Sequence, residues 1–105
     1  MNPLRVALVV TERGPTLALA GELDHCTAPE VHEALQSVVL GSGQCLALDL
    51  GDLDFFDSTG VAVLMRARLL AHSADATLVL TRVPAQIARI LRIVGLDDLL
   101  TTPAP

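Results

Sequence analysis

Between Leu46 and Met65 the hydrophobic pattern changes its period once, and this change constrains the fold more than any other feature of the chain. Leu46, Leu48 and Leu50 alternate with other residues at the two-residue period of a buried strand. Asp52, Asp54 and Asp57 follow and read as a short acidic loop. Ser58-Thr59-Gly60 then leads into Val61, Leu64 and Met65, which stand at helical spacing. A strand that hands over to a helix here puts Ser58 at the helix N-terminus. The first N–H groups of a helix lack carbonyl partners, and its dipole leaves partial positive charge there. A hydroxyl at that position caps the helix, and a phosphate is stabilised. The plainer reading of the same residues is an N-cap at Asp57 or Ser58.

The same alternation extends along the chain. Leu4–Val10 is β-rich, Thr16–Ala20 alternates around Leu17 and Leu19, and Arg13-Gly14-Pro15 reads as the turn of a hairpin. Gly21–His25 is a second polar loop at a strand end. Thr27 and Glu30 have capping-box spacing, with Pro29 tolerated in the first turn. Val31, Ala34, Leu35, Val38 and Val39 form the buried stripe of a first helix, ended by Gly41 and Gly43. Cys45–Leu50 is the central strand, and a second helix runs from about Ser58 to His72. Thr77–Leu80 reads as a strand buried on both faces. Pro84 opens a third helix with Ile87, Ile90, Leu91 and Val94 on its inner face and Arg89 and Arg92 pointing away. Gly95 and Leu96 fit its C-terminal cap. Leu99 and Leu100 are expected to form a last short strand or a cap, and Thr101–Pro105 a loose tail. The order ββαβαβα, with a possible final β, implies an α/β domain over residues 1–105. Its sheet is mixed, of four to five strands, with helices packed against it. Such folds place their sites in loops at the carboxyl ends of strands, here the loops at Asp24 and at Ser58.

Charge limits the partners. The 105 residues carry a net charge of −5, which argues against nucleic acid. No Arg or Lys stands between Pro15 and Met65, a span holding Glu22, Asp24, Glu30, Glu33, Asp49, Asp52, Asp54 and Asp57. The surface around Ser58 is therefore expected to be acidic and to suit a basic partner. No apolar run is long enough to cross a bilayer and no signal-peptide pattern opens the chain, so a cytoplasmic location is expected, without membrane association. Cys26 and Cys45 have no metal-ligand spacing; Cys45 is expected at a strand start and Cys26 in an exposed loop.

These residues carry a resemblance. G-E-L-D-H-C-T-A at Gly21–Ala28 and D-L-G-D-L-D-F-F-D-S-T-G-V-A-V-L at Asp49–Leu64 resemble the STAS domains of the anti-sigma factor antagonist family. Val83–Leu96 adds a weaker match. The resemblance implies a bacterial partner-switching regulator with no catalysis, cofactor or metal of its own. It implies phosphorylation on Ser58 by an anti-sigma factor that is also a serine kinase, and resetting by a phosphoserine phosphatase. It implies a partner-binding surface of Asp24, His25, Asp57, Ser58, Thr59 and Gly60. The same resemblance extends to STAS domains that serve as scaffold or docking subunits of signalling or transporter assemblies, where the Ser58 region only docks. Ser73-Ala74-Asp75 in place of a Gly-rich turn, and the absence of Lys, depart from the commoner pattern.

Rival chemistries have less support. A serine hydrolase needs Ser58 activated by a base such as His25, and Phe56 stands where a nucleophile elbow needs its first Gly. A receiver-type phospho-aspartate site resembles this one in its acidic loops but uses a Lys. Neither a P-loop nor a dinucleotide fingerprint is present. Glu22, Asp24 and Asp57 are potential Mg²⁺ ligands, but carboxylates on loops are ordinarily just solvated.

Overall fold

A computed structural model describes residues 3–100. The elements are β1 (Arg5–Thr11), β2 (Gly14–Leu23), α1 (Ala28–Ser37), β3 (Cys45–Phe56), α2 (Ser58–Ser73), β4 (Thr77–Thr81), α3 (Ala85–Ile93) and a 3₁₀ turn at Asp97–Leu100. The four strands form one sheet in the order β1-β2-β3-β4. β1 and β2 are antiparallel, and β3 runs parallel to both β2 and β4. The mixed sheet and the ββαβαβα order are those the sequence implies. The final β is not formed, because Leu99 turns inward from a 3₁₀ turn against α3 and β4. The loose tail expected at Thr101–Pro105 lies outside the described residues.

One face of the sheet carries the core. Leu17, Leu19 and Leu23 of β2 and Leu46, Leu48 and Leu50 of β3 are fully buried against Val31, Leu35, Val63, Leu64, Ala67 and Leu91 of the helices. Burial of each such side chain contributes about 1.5–3 kcal/mol. The opposite face, with Ala18, Ala47 and Val79, is only half-buried. β4 therefore buries Leu78 and Leu80 while Thr77 and Val79 face outward, rather than being buried on both faces as its run of apolar residues suggests.

Four local expectations are corrected. The hairpin turn is Glu12-Arg13, and Gly14 and Pro15 already belong to β2. α1 stops at Ser37, before the glycines. Val38 becomes extended, and Val39 is 87% exposed. Two consecutive β-branched residues favour that exit from the helix. The Thr27–Glu30 capping box is absent. Thr27 has αR backbone angles, and its hydroxyl donates to Glu22 O at 2.8 Å and accepts from Asp24 N at 3.0 Å. At the end of α3, Val94 is the C-cap and half exposed rather than buried. Gly95 follows with φ +79°, Leu96 N donates to Leu91 O at 2.7 Å, and Gly95 N donates to Arg92 O at 3.2 Å. This is the Schellman arrangement expected from Gly95 and Leu96.

Candidate functional site

The site is built where β2 and β3 end side by side. β3 does not stop at Leu50 but continues to Phe56, so Asp52 and Asp54 lie on a strand rather than in a loop. Two irregularities in the β2–β3 register, between Ala18 and Ala20 and between Gly21 and Glu22, accommodate the extension. Bulges of this kind re-aim the end of a strand. Beyond them Leu23 pairs with Phe56, which brings the Asp24–Thr27 loop beside Asp57 and Ser58.

Asp57 is the N-cap of α2. Its Oδ1 accepts from Thr59 N at 2.9 Å, and its carbonyl accepts from Val61 N at 3.2 Å. Ser58 is the first helical residue and is exposed, while Thr59 is partly and Gly60 fully buried. The plainer reading is thus correct for Asp57, which leaves the Ser58 hydroxyl outside the capping bond. By helix geometry the N–H groups of Ser58 and Gly60 lack intrahelical partners and point past the N-terminus.

The neighbouring loop is a hydrogen-bonded turn. Asp24 Oδ1 accepts from Cys26 N at 2.9 Å and Thr27 N at 3.1 Å, while Asp24 O accepts from Ala28 N at 2.8 Å. The Asp24 carboxylate therefore shapes its own loop, an Asx turn that its sequence position alone does not reveal. His25 and Cys26 project into solvent, with His25 Nε2 3.5 Å from Cys26 Sγ. A hydrolase needs a base on the serine hydroxyl, and His25 is turned to a different partner. Among the described residues no group of three or more His, Cys, Asp or Glu is placed to hold a metal ion. No described helix is long and apolar enough to cross a membrane.

The expected field of carboxylates is smaller than the sequence suggests. Arg82, at positive φ in the turn after β4, donates to Asp49 Oδ1 at 2.9 Å, Asp49 Oδ2 at 3.1 Å and Asp52 Oδ2 at 3.1 Å. Its guanidinium lies against Gly51, in space that a side chain there would need. The hydrogen bonds from Arg82 hold the Asp49 carboxyl below its ordinary pKa, with a smaller contribution from Gly51 N–H, against the opposing effect of burial. Two acidic residues are thus paired, and Asp24 and Asp57 remain as the carboxylates flanking Ser58. Sequence spacing, which separates Arg82 from Asp49 by 33 positions, gives no sign of this bridge.

The family model "Mlab, STAS domain" matches residues 6–101, and the mixed four-stranded sheet with its serine at the β3–α2 junction is thus that of a STAS domain. The chain is 31% identical over 100 residues to an anti-sigma-B factor antagonist of Listeria monocytogenes, covering 92% of this chain and 88% of that one. It therefore belongs to the anti-sigma factor antagonist family of STAS domains. An anti-sigma factor antagonist from Mycobacterium paratuberculosis superposes with a TM-score of 0.74 at 26% identity, covering 90% of this chain and 80% of that chain. The antagonist SpoIIAA in its unphosphorylated form shares the fold with a TM-score of 0.74 at 18% identity, covering 90% and 84%. Its phosphorylated form does so with a TM-score of 0.66 at 21% identity, covering 90% and 87%.

Proposed function

We propose that this chain binds an anti-sigma factor through the surface formed by Asp24, His25, Asp57, Ser58 and Thr59, with the buried Gly60 beneath it, and that phosphorylation of Ser58 ends that binding. The observation that carries this reading is the position of Ser58: exposed, first in α2, and beside the Asp24 loop. Binding of the unmodified chain releases the sigma factor. A serine kinase activity of the anti-sigma factor adds the phosphate, and a phosphoserine phosphatase removes it. Relatives of the chain are anti-sigma-B factor antagonists, and SpoIIAA, an antagonist that shares the fold, is known in phosphorylated and unphosphorylated forms.

The physical basis is a difference between folding and docking. A phosphate adds about −1.5 to −2 charges at pH 7. The α2 N-terminus offsets part of that charge, so the fold tolerates the modification. A docked partner has no equivalent compensation. Asp57 is adjacent and Asp24 lies on the next loop, so a partner's acidic group docked there, or a group desolvated against the phosphate, is repelled by the added charge. Ser58 is then both part of the contact and the group whose modification breaks it.

The test is incubation with ATP and a kinase anti-sigma factor from the same genome, followed by mapping of the phosphate by mass spectrometry. The expected result is one phosphate, on Ser58, and no labelling of Ser58→Ala. Equal labelling of that variant, or modification of Thr59 instead, overturns the assignment.

A further inference from the structure

The edge of the sheet farthest from β4 is unguarded. β1 carries no charge between Val6 and Val10, and Leu8, Val9 and Val10 are 45%, 56% and 76% exposed. Sheet edges in soluble proteins are ordinarily blunted by charge, Pro, shortness or a covering element. The opposite edge follows that rule: β4 is five residues long, and the 3₁₀ turn packs against it. β1 is seven residues long, its one charge is Arg5 at the start, it has no Pro, and no described strand pairs with its outer edge.

The hydrogen-bonding phase of β1 can be read from its hairpin. The two-residue turn Glu12-Arg13 is closed by the pair Thr11↔Gly14, and the closing pair of a two-residue hairpin is a hydrogen-bonded one. Alternation makes Val10↔Pro15, Leu8↔Leu17 and Val6↔Leu19 the non-bonded pairs, and Pro15, having no N–H, fits that place. The N–H and C=O groups of Val6, Leu8 and Val10 therefore point outward along the free edge. No described residue bonds them.

We propose that this edge pairs with β1 of a second copy of the chain, antiparallel, with the two-fold axis at Leu8. This register sets Val6 against Val10 of the other copy, Leu8 against Leu8, and Val10 against Val6. Each outward group then meets an outward group, and each of the three pairs exchanges two bonds. A one-residue shift would oppose outward residues to residues already bonded to β2. The strand's only charge also selects this arrangement. Antiparallel pairing carries the two Arg5 side chains to opposite ends, each beside Thr11 and one residue from Glu12 of the other copy, whereas parallel pairing would set them side by side. On the helix face the incoming Val6 and Leu8 reach a groove of about 470 Å³ lined by Leu8, Val10, Pro15, Val38 and Val39. The pair forms one eight-stranded sheet with isologous symmetry. Ser58 lies beyond the Arg5 end of β1, so the two Ser58 sites fall at opposite ends of the joined sheet and stay open.

Sedimentation velocity at about 100 μM, where a micromolar interface is filled, tests the proposal. Wild type is expected to sediment at twice the chain mass. Leu8→Lys and Leu8→Glu, which each put like charges across the axis, are expected to be monomers, and an equimolar mixture of the two is expected to recover the dimer. A monomeric wild type, variants that remain dimeric, or a mixture that remains monomeric overturns it. Hydrogen exchange on wild type provides a readout that needs no variant. The Val6, Leu8 and Val10 amides are expected to be protected at 100 μM and to lose protection on hundredfold dilution, and exchange at the free-amide rate at both concentrations overturns the pairing.

Discussion

The ring of Phe56 occupies the space that a side chain on Gly60 would need: a Cβ built there would collide with one edge of the ring. Phe56, the last residue of β3, thus tucks under the first turn of α2 while its neighbour Phe55 is 45% exposed. The glycine of the D-S-T-G motif is there to admit the ring, not to adopt an unusual backbone angle. It sets the height at which the helix meets the strand, and so the position of Ser58.

Gly60→Ala should therefore destabilise the protein, although alanine is the better helix former by about 1 kcal/mol. The collision with the Phe56 ring is of the overpacking kind, which costs about 1–3 kcal/mol. Urea melts of Gly60→Ala and of Gly60→Ala with Phe56→Leu check it: the double variant should recover part of the loss. A Gly60→Ala protein more stable than wild type would mean that Phe56 does not hold this position.

Ser58→Ala and Ser58→Asp should melt alike and bind differently. Asp57 is the cap and is untouched by either change. A carboxylate at position 58 gains about 0.3–1 kcal/mol from the helix dipole, a gain that the nearby carboxylates of Asp57 and Asp24 oppose. In the docked state the added charge is uncompensated, and affinity for the anti-sigma factor should fall at least about tenfold, or about 1.4 kcal/mol, relative to Ser58→Ala. Titration calorimetry at matched salt measures it; equal affinities would remove the switch from Ser58.

The Arg82 bridge should appear as an acid-limb effect. The Asp49 carboxyl is depressed in the folded state below its ordinary value of 3.8, so the unfolded chain takes up its proton first as pH falls. The contribution is fully present above that value and is lost as pH drops through the lower, folded pKa. Arg82 is more than half exposed, so the effect is modest and screened by salt. Urea stability of wild type and Asp49→Asn between about pH 5 and pH 2 checks the sign: the wild-type curve should fall more steeply. Parallel curves would show that the bridge is not populated in solution.

On α3, Leu91→Ala should cost about 2–5 kcal/mol because Leu91 is fully buried. Val94→Ala should cost under about 0.5 kcal/mol, since Val94 is the half-exposed C-cap. Equal losses in chemical denaturation would place the inner face of the helix elsewhere.

The sequence by itself determined the elements, their order and the position of Ser58 at the β3–α2 junction. Period-two leucines and period-3.6 stripes are local consequences of which side of a strand or helix meets the core, so β3, α2 and the Ser58 junction are legible without coordinates. The cap at the end of α3 was legible for the same reason, since it needs only Gly95 and Leu96. Only the tertiary structure decided which of Phe55 and Phe56 turns inward, and that β3 runs past its bulges to Phe56. It alone assigned the Thr27 hydroxyl to Glu22 instead of a capping box, and Arg82 to two of the acidic residues that otherwise read as open charge. Each of these depends on what a neighbouring strand or loop brings within about 3–4 Å, a distance set by register and packing between residues far apart in the chain. Val39 and Val94 stand exposed because α1 and α3 end at Ser37 and Ile93, so the apolar stripe continues in the sequence beyond the helix that would have carried it to the core.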